Sequence, residues 1–192
     1  MKMENIYIVE KEFEKDDFTQ TPLPKGEYEG CSFAYCDFSN SVLSGVQFSD
    51  CTFLHCNFSL AVLANTAFRG AKFKECKMLG LHFETCNEFG FVVDFDTCIL
   101  NHTSFYRKKL KKTVFYACKL QDVDFVESDL SGASFQQCDL LGAVFENTLL
   151  EKADFRNAYH YAVDPTKNRI KKARFSLTGL AGLLGAYDIE ID

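Results

Sequence analysis

The 192-residue chain reads as a solenoid, a stack of short repeated turns, and three features of the sequence carry that reading. Large apolar residues recur every five positions, which is neither the period of about 3.6 of a helix nor the simple alternation of a strand. The residue two before each large one is nearly always small. The register persists along most of the chain and breaks once. Repetition at a fixed short period marks an architecture in which each unit contacts mainly its neighbours.

The first series of large residues, here called centres, runs from Phe13 through Phe33, Phe38, Phe53 and Phe58 to Phe83. The second runs from Phe95 through Phe115, Leu120, Phe125, Leu130, Phe135 and Leu140 to Phe155. All 28 centres are Phe, Leu, Tyr or Met, and they take 17 of the 20 phenylalanines, so one side chain is being used repeatedly for one purpose. The small residues include Cys36, Ser41, Val46, Cys56, Ala61, Thr66 and Ala133. The other three positions of each unit are mostly polar, so each unit turns one large and one small side chain inward.

"SDLSGASFQQCDLLGAVF" (Ser128 to Phe145) and "KADF" (Lys152 to Phe155) carry a specific resemblance. They are similar to the pentapeptide-repeat family, whose units read approximately A-[DN]-[LF]-x-x, and the likeness covers residues 13–160. The resemblance implies an all-β fold, a right-handed quadrilateral β-helix with four units per coil. Residues 1–12 are then a lead-in strand, and residues 161–192 a capping and dimerisation segment with a short helix and strand.

With a coil of 20 residues, positions 20 apart stack at about 4.8 Å, the spacing of paired strands. From Phe83 to Phe95 is 12 residues, two units plus two, and a two-residue insertion at a corner around 84–94 is the simplest reading. Glu88 falls where a centre would be and is expected outside the coil. Allowing for the insertion, Cys36, Cys56, Cys76, Cys98, Cys118 and Cys138 fall in one column. All nine cysteines occupy the small inward position. Zinc needs about four ligands converging tetrahedrally, whereas these thiols point one way from successive coils. They are expected to be packing residues, with no metal and no cofactor.

Net charge is −6, which disfavours non-specific binding to nucleic acid or anionic membrane, so no direct nucleic-acid binding is expected. No apolar run approaches the roughly 20 residues of a membrane span, and no signal peptide is evident, so the cytoplasm is the expected compartment. No phosphate loop, nucleophile elbow or H-E-x-x-H pattern occurs. The histidines show no ligand spacing, and the dispersed aspartates read as turn and surface residues. The expectation is therefore a protein without catalytic activity. Two local oddities remain. "YRKKLKK" (Tyr106 to Lys112) is strongly basic, as a solvated face or a patch for an acidic partner. Lys108 within it falls where a small inward residue belongs.

After His160 the repeat stops. Ile170 to Phe175 reads as a last extended segment. Ser176 is placed to cap a helix to about Leu184, and Tyr187, Ile189 and Ile191 alternate with acids as in a strand. The tail resembles that of the Qnr-type and McbG-type branch, which implies a homodimer through Leu177, Leu180, Leu183, Leu184, Tyr187 and Ile189. Several members of that branch mimic DNA, bind DNA gyrase or topoisomerase IV and protect them from quinolones or peptide toxins. The resemblance implies a partner-binding surface of Asp122, Asp124, Glu127, Asp129, Asp139 and Glu146. A scaffold for an unrelated cytoplasmic partner fits the sequence as well.

Overall fold

In the computed structural model, which describes residues 6–187, 189 and 190, the chain winds into a four-sided parallel β-solenoid. Its strands are β1 (Ile6–Val9), β2 (Glu12–Glu14), β3 (Gly26–Glu29), β4 (Ser32–Ala34), β5 (Gln47–Ser49) and β6 (Thr52–Leu54). They continue with β7 (Ala67–Lys74), β8 (Val92–Asp96), β9 (Val114–Tyr116) and β10 (Ser134–Gln136). Partners lie one coil apart, as in Phe13 with Phe33, Phe33 with Phe53 and Phe53 with Phe73. Elsewhere the ladder is carried by single-residue bridges, such as the series Asp17, Asp37, Asn57, Lys77.

Each five-residue unit has a physical division of labour. The residue before the centre is often Asp or Asn, as at Asp17, Asp37, Asn57, Asp124, Asp129, Asp139 and Asp154. Its side-chain oxygen accepts the backbone N–H two residues on, at 2.8–3.3 Å, which fixes the corner locally. The residue two after the centre closes the corner with positive φ. Glycine fills this place at Gly142, where a Cβ would also collide with the Asp122 carboxylate. Yet among the described residues 22 that are not glycine adopt positive φ, including Leu60 at 59° and Ala117 at 51°. The strain is held by the ladder on both sides of each corner.

The interior is a set of stacked rings. On the first face Phe13, Phe33, Phe53, Phe73, Phe95, Phe115, Phe135, Phe155 and Phe175 stack with centroids 4.5–5.4 Å apart. The second face carries Phe18, Phe38, Phe58, Met78, Leu100, Leu120 and Leu140. The third carries Leu43, Leu63, Phe83, Phe105, Phe125 and Phe145; the fourth, Tyr28, Phe48, Phe68, Leu110, Leu130 and Leu150. Across the axis, first-face rings meet third-face rings edge to face, as Phe115 and Phe125 do at 6.0 Å.

At the insertion, Ala71 pairs with Val93 and Phe73 with Phe95, so the step there is 22 residues. Phe91 turns inward while Glu88 and Phe89 stay outside. The ladder does not stop at His160: Asp154 pairs with Arg174, and Leu149 with Arg169. The segment beyond it is a 3₁₀-helix over Leu177–Leu183, followed by another at Gly185–Tyr187. Ser176 precedes the first without a side-chain cap. The strand expected from Tyr187 onward is not formed at Tyr187, Ile189 or Glu190, because backbone bonds there stay local, as in Tyr187 N–H to the Leu184 carbonyl. Asp188, Ile191 and Asp192 lie outside the described residues, as do Met1 to Asn5 of the expected lead-in strand, which is β1 from Ile6.

Two substitutions within one unit test this division of labour by urea unfolding. Phe115→Ala, deep in the ring stack, is expected to lose about 3–5 kcal/mol. Ala117→Gly, which relieves the left-handed corner, is expected to gain about 0.5–1 kcal/mol, the Cβ penalty less the entropy cost of glycine.

Candidate functional site

The thiol column is the first candidate, and its geometry is that of packing. Cys36, Cys56, Cys76, Cys98, Cys118 and Cys138 are all about 1% exposed or less. Each thiol donates to the carbonyl of a centre in the preceding coil, as Cys56 does to Phe33 at 3.4 Å and Cys138 to Phe115 at 3.4 Å. Burial pushes the Cys51 thiol up to about 12, and the Cys86 thiol likewise. All nine cysteines are free, and among the described residues no cluster of three or more His, Cys, Asp or Glu could hold a metal ion. A shallow depression of about 570 Å³ on the first face is lined by Leu54, Lys72, Lys74, Asp94, Asp96 and Val114. Lys74 meets Asp96 there at 4.0 Å and Asp94 accepts the Val114 N–H at 2.9 Å, and no nucleophile and base converge there.

The six acids expected to form one partner surface are distributed over three faces. Asp139 is 9% exposed, held by Gln121 at 2.7 Å and His160 at 2.8 Å. Glu127 accepts from Arg107 at 2.6 Å, Asp129 meets Lys111 at 3.2 Å, and Glu146 meets Lys167 at 2.9 Å. The Arg107 guanidinium holds the Glu127 carboxyl below its ordinary range. Asp122 and Asp124 have no lysine or arginine partner among the described residues; Asp122 lies 3.5 Å from His102.

Charge is instead concentrated at two places, and the second is one that chain order hides. Between Ile6 and Asp50 there are nine acids and three lysines, so the first coils form an acidic band that includes Glu27, Glu29 and Asp50. On the later coils of the fourth face, Lys109, Lys111 and Lys112 occupy the same outward positions as Arg169, Lys171 and Lys172. The bridges from Lys109 to Asp129, Leu149 and Arg169 place these two triads three coils apart. The recurrence of Lys-x-Lys-Lys and Arg-x-Lys-Lys at a spacing of 60 residues was the available signal.

Lys108 lies inside the solenoid, 2% exposed. In neighbouring units the corresponding carbonyls accept backbone N–H groups, Cys76 from Ile99 at 2.9 Å and Leu81 from Ser104 at 2.8 Å. The insertion displaces the strand that would serve Cys86, and the Lys108 ammonium donates to that carbonyl at 2.6 Å. It also sits 4.8 Å from the centre of the Phe91 ring. Burial lowers its pKa, opposed by Cys86, Glu88 and Glu84. The lysine is thus an inward residue of the insertion, filling a break in the ladder.

The dimer residues expected in the tail are largely exposed. Leu177 is 86% exposed, Leu180 40%, Tyr187 53% and Ile189 55%. Leu183 instead packs against the core, and Val163 N–H donates to the Gly182 carbonyl at 2.8 Å, so the tail covers the last coil with one side only.

The family described as the pentapeptide repeat region matches residues 27–88 and 91–157, stopping and resuming at the insertion. Among solved structures, a trypsin-treated form of QnrB1, a plasmid-mediated fluoroquinolone resistance protein, superposes with a TM-score of 0.73. It shares 16% identity and covers 99% of this chain and 95% of its own. A second trypsin-treated form gives a TM-score of 0.64 at 15% identity, covering 97% of this chain and 100% of its own. HetL, a pentapeptide repeat protein involved in heterocyst differentiation regulation from the cyanobacterium Nostoc sp. strain PCC 7120, shares 13% identity. It covers 87% of this chain and 84% of its own, with a TM-score of 0.43. The two QnrB1 likenesses concern the fold. No curated protein matches this sequence.

Lys108 gives a test of the ladder break. Lys108→Ala leaves a cavity and an unserved carbonyl and is expected to cost about 2–5 kcal/mol. The lowered pKa means that, between its folded and ordinary values, the unfolded chain holds more protons. Rising alkaline pH should therefore stabilise the native protein relative to Lys108→Met, as measured by paired thermal unfolding across pH.

Proposed function

Because the chain belongs to the pentapeptide-repeat family, we propose that it acts without catalysis, as a rigid binding rod for a type II DNA topoisomerase, protecting that enzyme from quinolones. The observation that carries this reading is the acidic band on the first coils, presented on an unbroken solenoid. An acidic, regular rod competes with phosphates for a basic groove. The QnrB1 fold likeness supports the choice of target, since that protein is a fluoroquinolone resistance protein. Asp122 and Asp124 are carboxylates on a later coil without a lysine or arginine partner among the described residues, while Glu127, Asp129, Asp139 and Glu146 contribute mainly to local pairs and corners.

We further propose that the functional unit is a homodimer joined through the tail. Leu177, Leu180, Tyr187 and Ile189 supply exposed apolar area at the end of the rod, and a two-fold contact would bury it twice. Leu184 borders this surface, whereas Leu183 belongs to the cap on the chain's own core. The cytoplasm is the proposed compartment, where such a target resides and buried free thiols stay reduced. No helix among the described residues is long and apolar enough to cross a membrane.

Two measurements test these statements separately. In a gyrase or topoisomerase IV supercoiling and relaxation assay with a fluoroquinolone, the protein should restore activity. Glu27→Lys with Glu29→Lys should weaken that effect at least tenfold. Neither protection nor binding by the wild-type protein would reject the topoisomerase target. Light scattering should give a dimer that Leu177→Glu with Leu180→Glu converts to a folded monomer; a wild-type monomer at micromolar concentration would reject the tail interface.

A further inference from the structure

Net charge averages over a molecule whose charges are segregated. The acidic band and the basic part of the fourth face are separated by several coils of about 4.8 Å each. The Debye length is only about 8 Å at physiological salt, so each region presents its own field. The overall charge of −6 therefore does not decide what the basic region binds.

That region has a defined shape. Lys109, Lys111 and Lys112 form one row and Arg169, Lys171 and Lys172 another, all exposed, at a separation of about 14 Å for three coils. Lys152, exposed, stands between them in the same column as Lys112 and Lys172. Between the rows the coil turns out Ser131 and Gly132, so the floor next to the first row is low. Asp129 is turned to Lys111 and to the Ser131 N–H, and among the described residues the other cations of the two rows form no ion pair. On the coil before the first row, the insertion exposes Phe89 to 79% and Val92 to 57%, with the Arg69 guanidinium 5.8 Å from the Phe89 ring centre.

We propose that this half of the fourth face binds a nucleic-acid strand, with its phosphates in the trough between the two basic rows and a base on Phe89. Long lysine stems on both rims converge on a narrow polyanion, and a low floor admits its backbone. An aromatic beside a basic track is the arrangement that holds single strands without reading sequence, by stacking and charge together. A broad acidic protein surface would rest on the lysine rims and leave the low floor beside Ser131 and Gly132 empty, and Asp129 on that floor is already paired with Lys111. The proposal is independent of the topoisomerase reading, which rests on the acidic band.

The test is fluorescence anisotropy of the full-length protein with a labelled single strand and the matching duplex, across a salt series, with polyglutamate as competitor. The expected result is binding at low salt that falls steeply as salt rises, the single strand being preferred. Lys112→Glu with Lys172→Glu should weaken it at least tenfold, and Phe89→Ala should reduce the single-strand preference. Lys72→Glu with Lys74→Glu, on the adjacent face, should leave it within twofold. Circular dichroism melts should show all variants folded. No binding at low salt would overturn the proposal, as would equal loss from the two lysine pairs. Displacement by polyglutamate at lower charge concentration than by unlabelled oligonucleotide would assign the face to an acidic protein instead and also overturn it.

Discussion

The width of the interior governs this molecule. Four centres per coil meet on the axis, and the layer above must settle on the layer below at the spacing of paired strands, about 4.8 Å. Planar rings suit that spacing, and the first face stacks nine of them, with Phe115 and Phe135 at 5.1 Å and 2°. Once the rings fill the axis, the remaining inward position has room only for small side chains, so cysteine, alanine, serine, threonine and valine share it. The thiols gain a weak bond to a carbonyl of the preceding coil, and their chemistry is suppressed by the burial that makes them useful. A four-sided coil with one large and one small residue per side follows from steric fit, with the corners adjusted afterward.

This explains why the fold was legible and the surface was not. The centres and their small partners announce themselves at fixed spacing because every coil imposes the same steric demand, so the columns through Phe33 or Cys56 can be drawn from the sequence. The corners are less visible. Positive φ at Leu60, Glu75 or Ala117 runs against the preference of those residues, and only the ladder on either side imposes it. Lys108 was visible as an exception to the small-residue rule, but its partner was not. The Cys86 carbonyl lies 22 residues away and lacks a backbone donor only because of where the insertion falls. The tail was read as helix and strand from apolar spacing, whereas two adjoining 3₁₀ segments form there. Packing against Tyr161 and the last coil shapes it, as the close approach of Gly179 and Gly182 to Tyr161 shows.

The charge pattern illustrates the same limit in electrostatic form. Asp122 to Glu146 looks like an acidic tract because no lysine or arginine intervenes in the sequence. Winding brings Arg107, Lys111 and Lys167 against it from adjacent coils, and three of its carboxylates become ion pairs. Such exposed pairs contribute at most about 1 kcal/mol each to stability, but they remove free negative charge from the surface. Winding also does the reverse. Two basic triads separated by 60 residues become parallel rows on one face, and acids dispersed over the first fifty residues become one band.

A solenoid therefore has two codes that need different readings. The inward code is local: its unit is five residues, and neighbours along the chain suffice to recognise it. The outward code is columnar: what matters for a residue is what stands one coil before and after, about twenty positions away. An insertion of two residues leaves the inward code intact on either side while shifting the outward one, so Val92 follows Arg69 at a step of 23 and Ala71 meets Val93 at 22. That shift puts the buried Phe91 after Phe68 on the fourth face, exposes Phe89 and draws Lys108 inward. The insertion lies between the acidic band of the first coils and the basic rows, one coil before the first row. A short irregularity thus changes what the surface presents on one face while the core runs on without interruption.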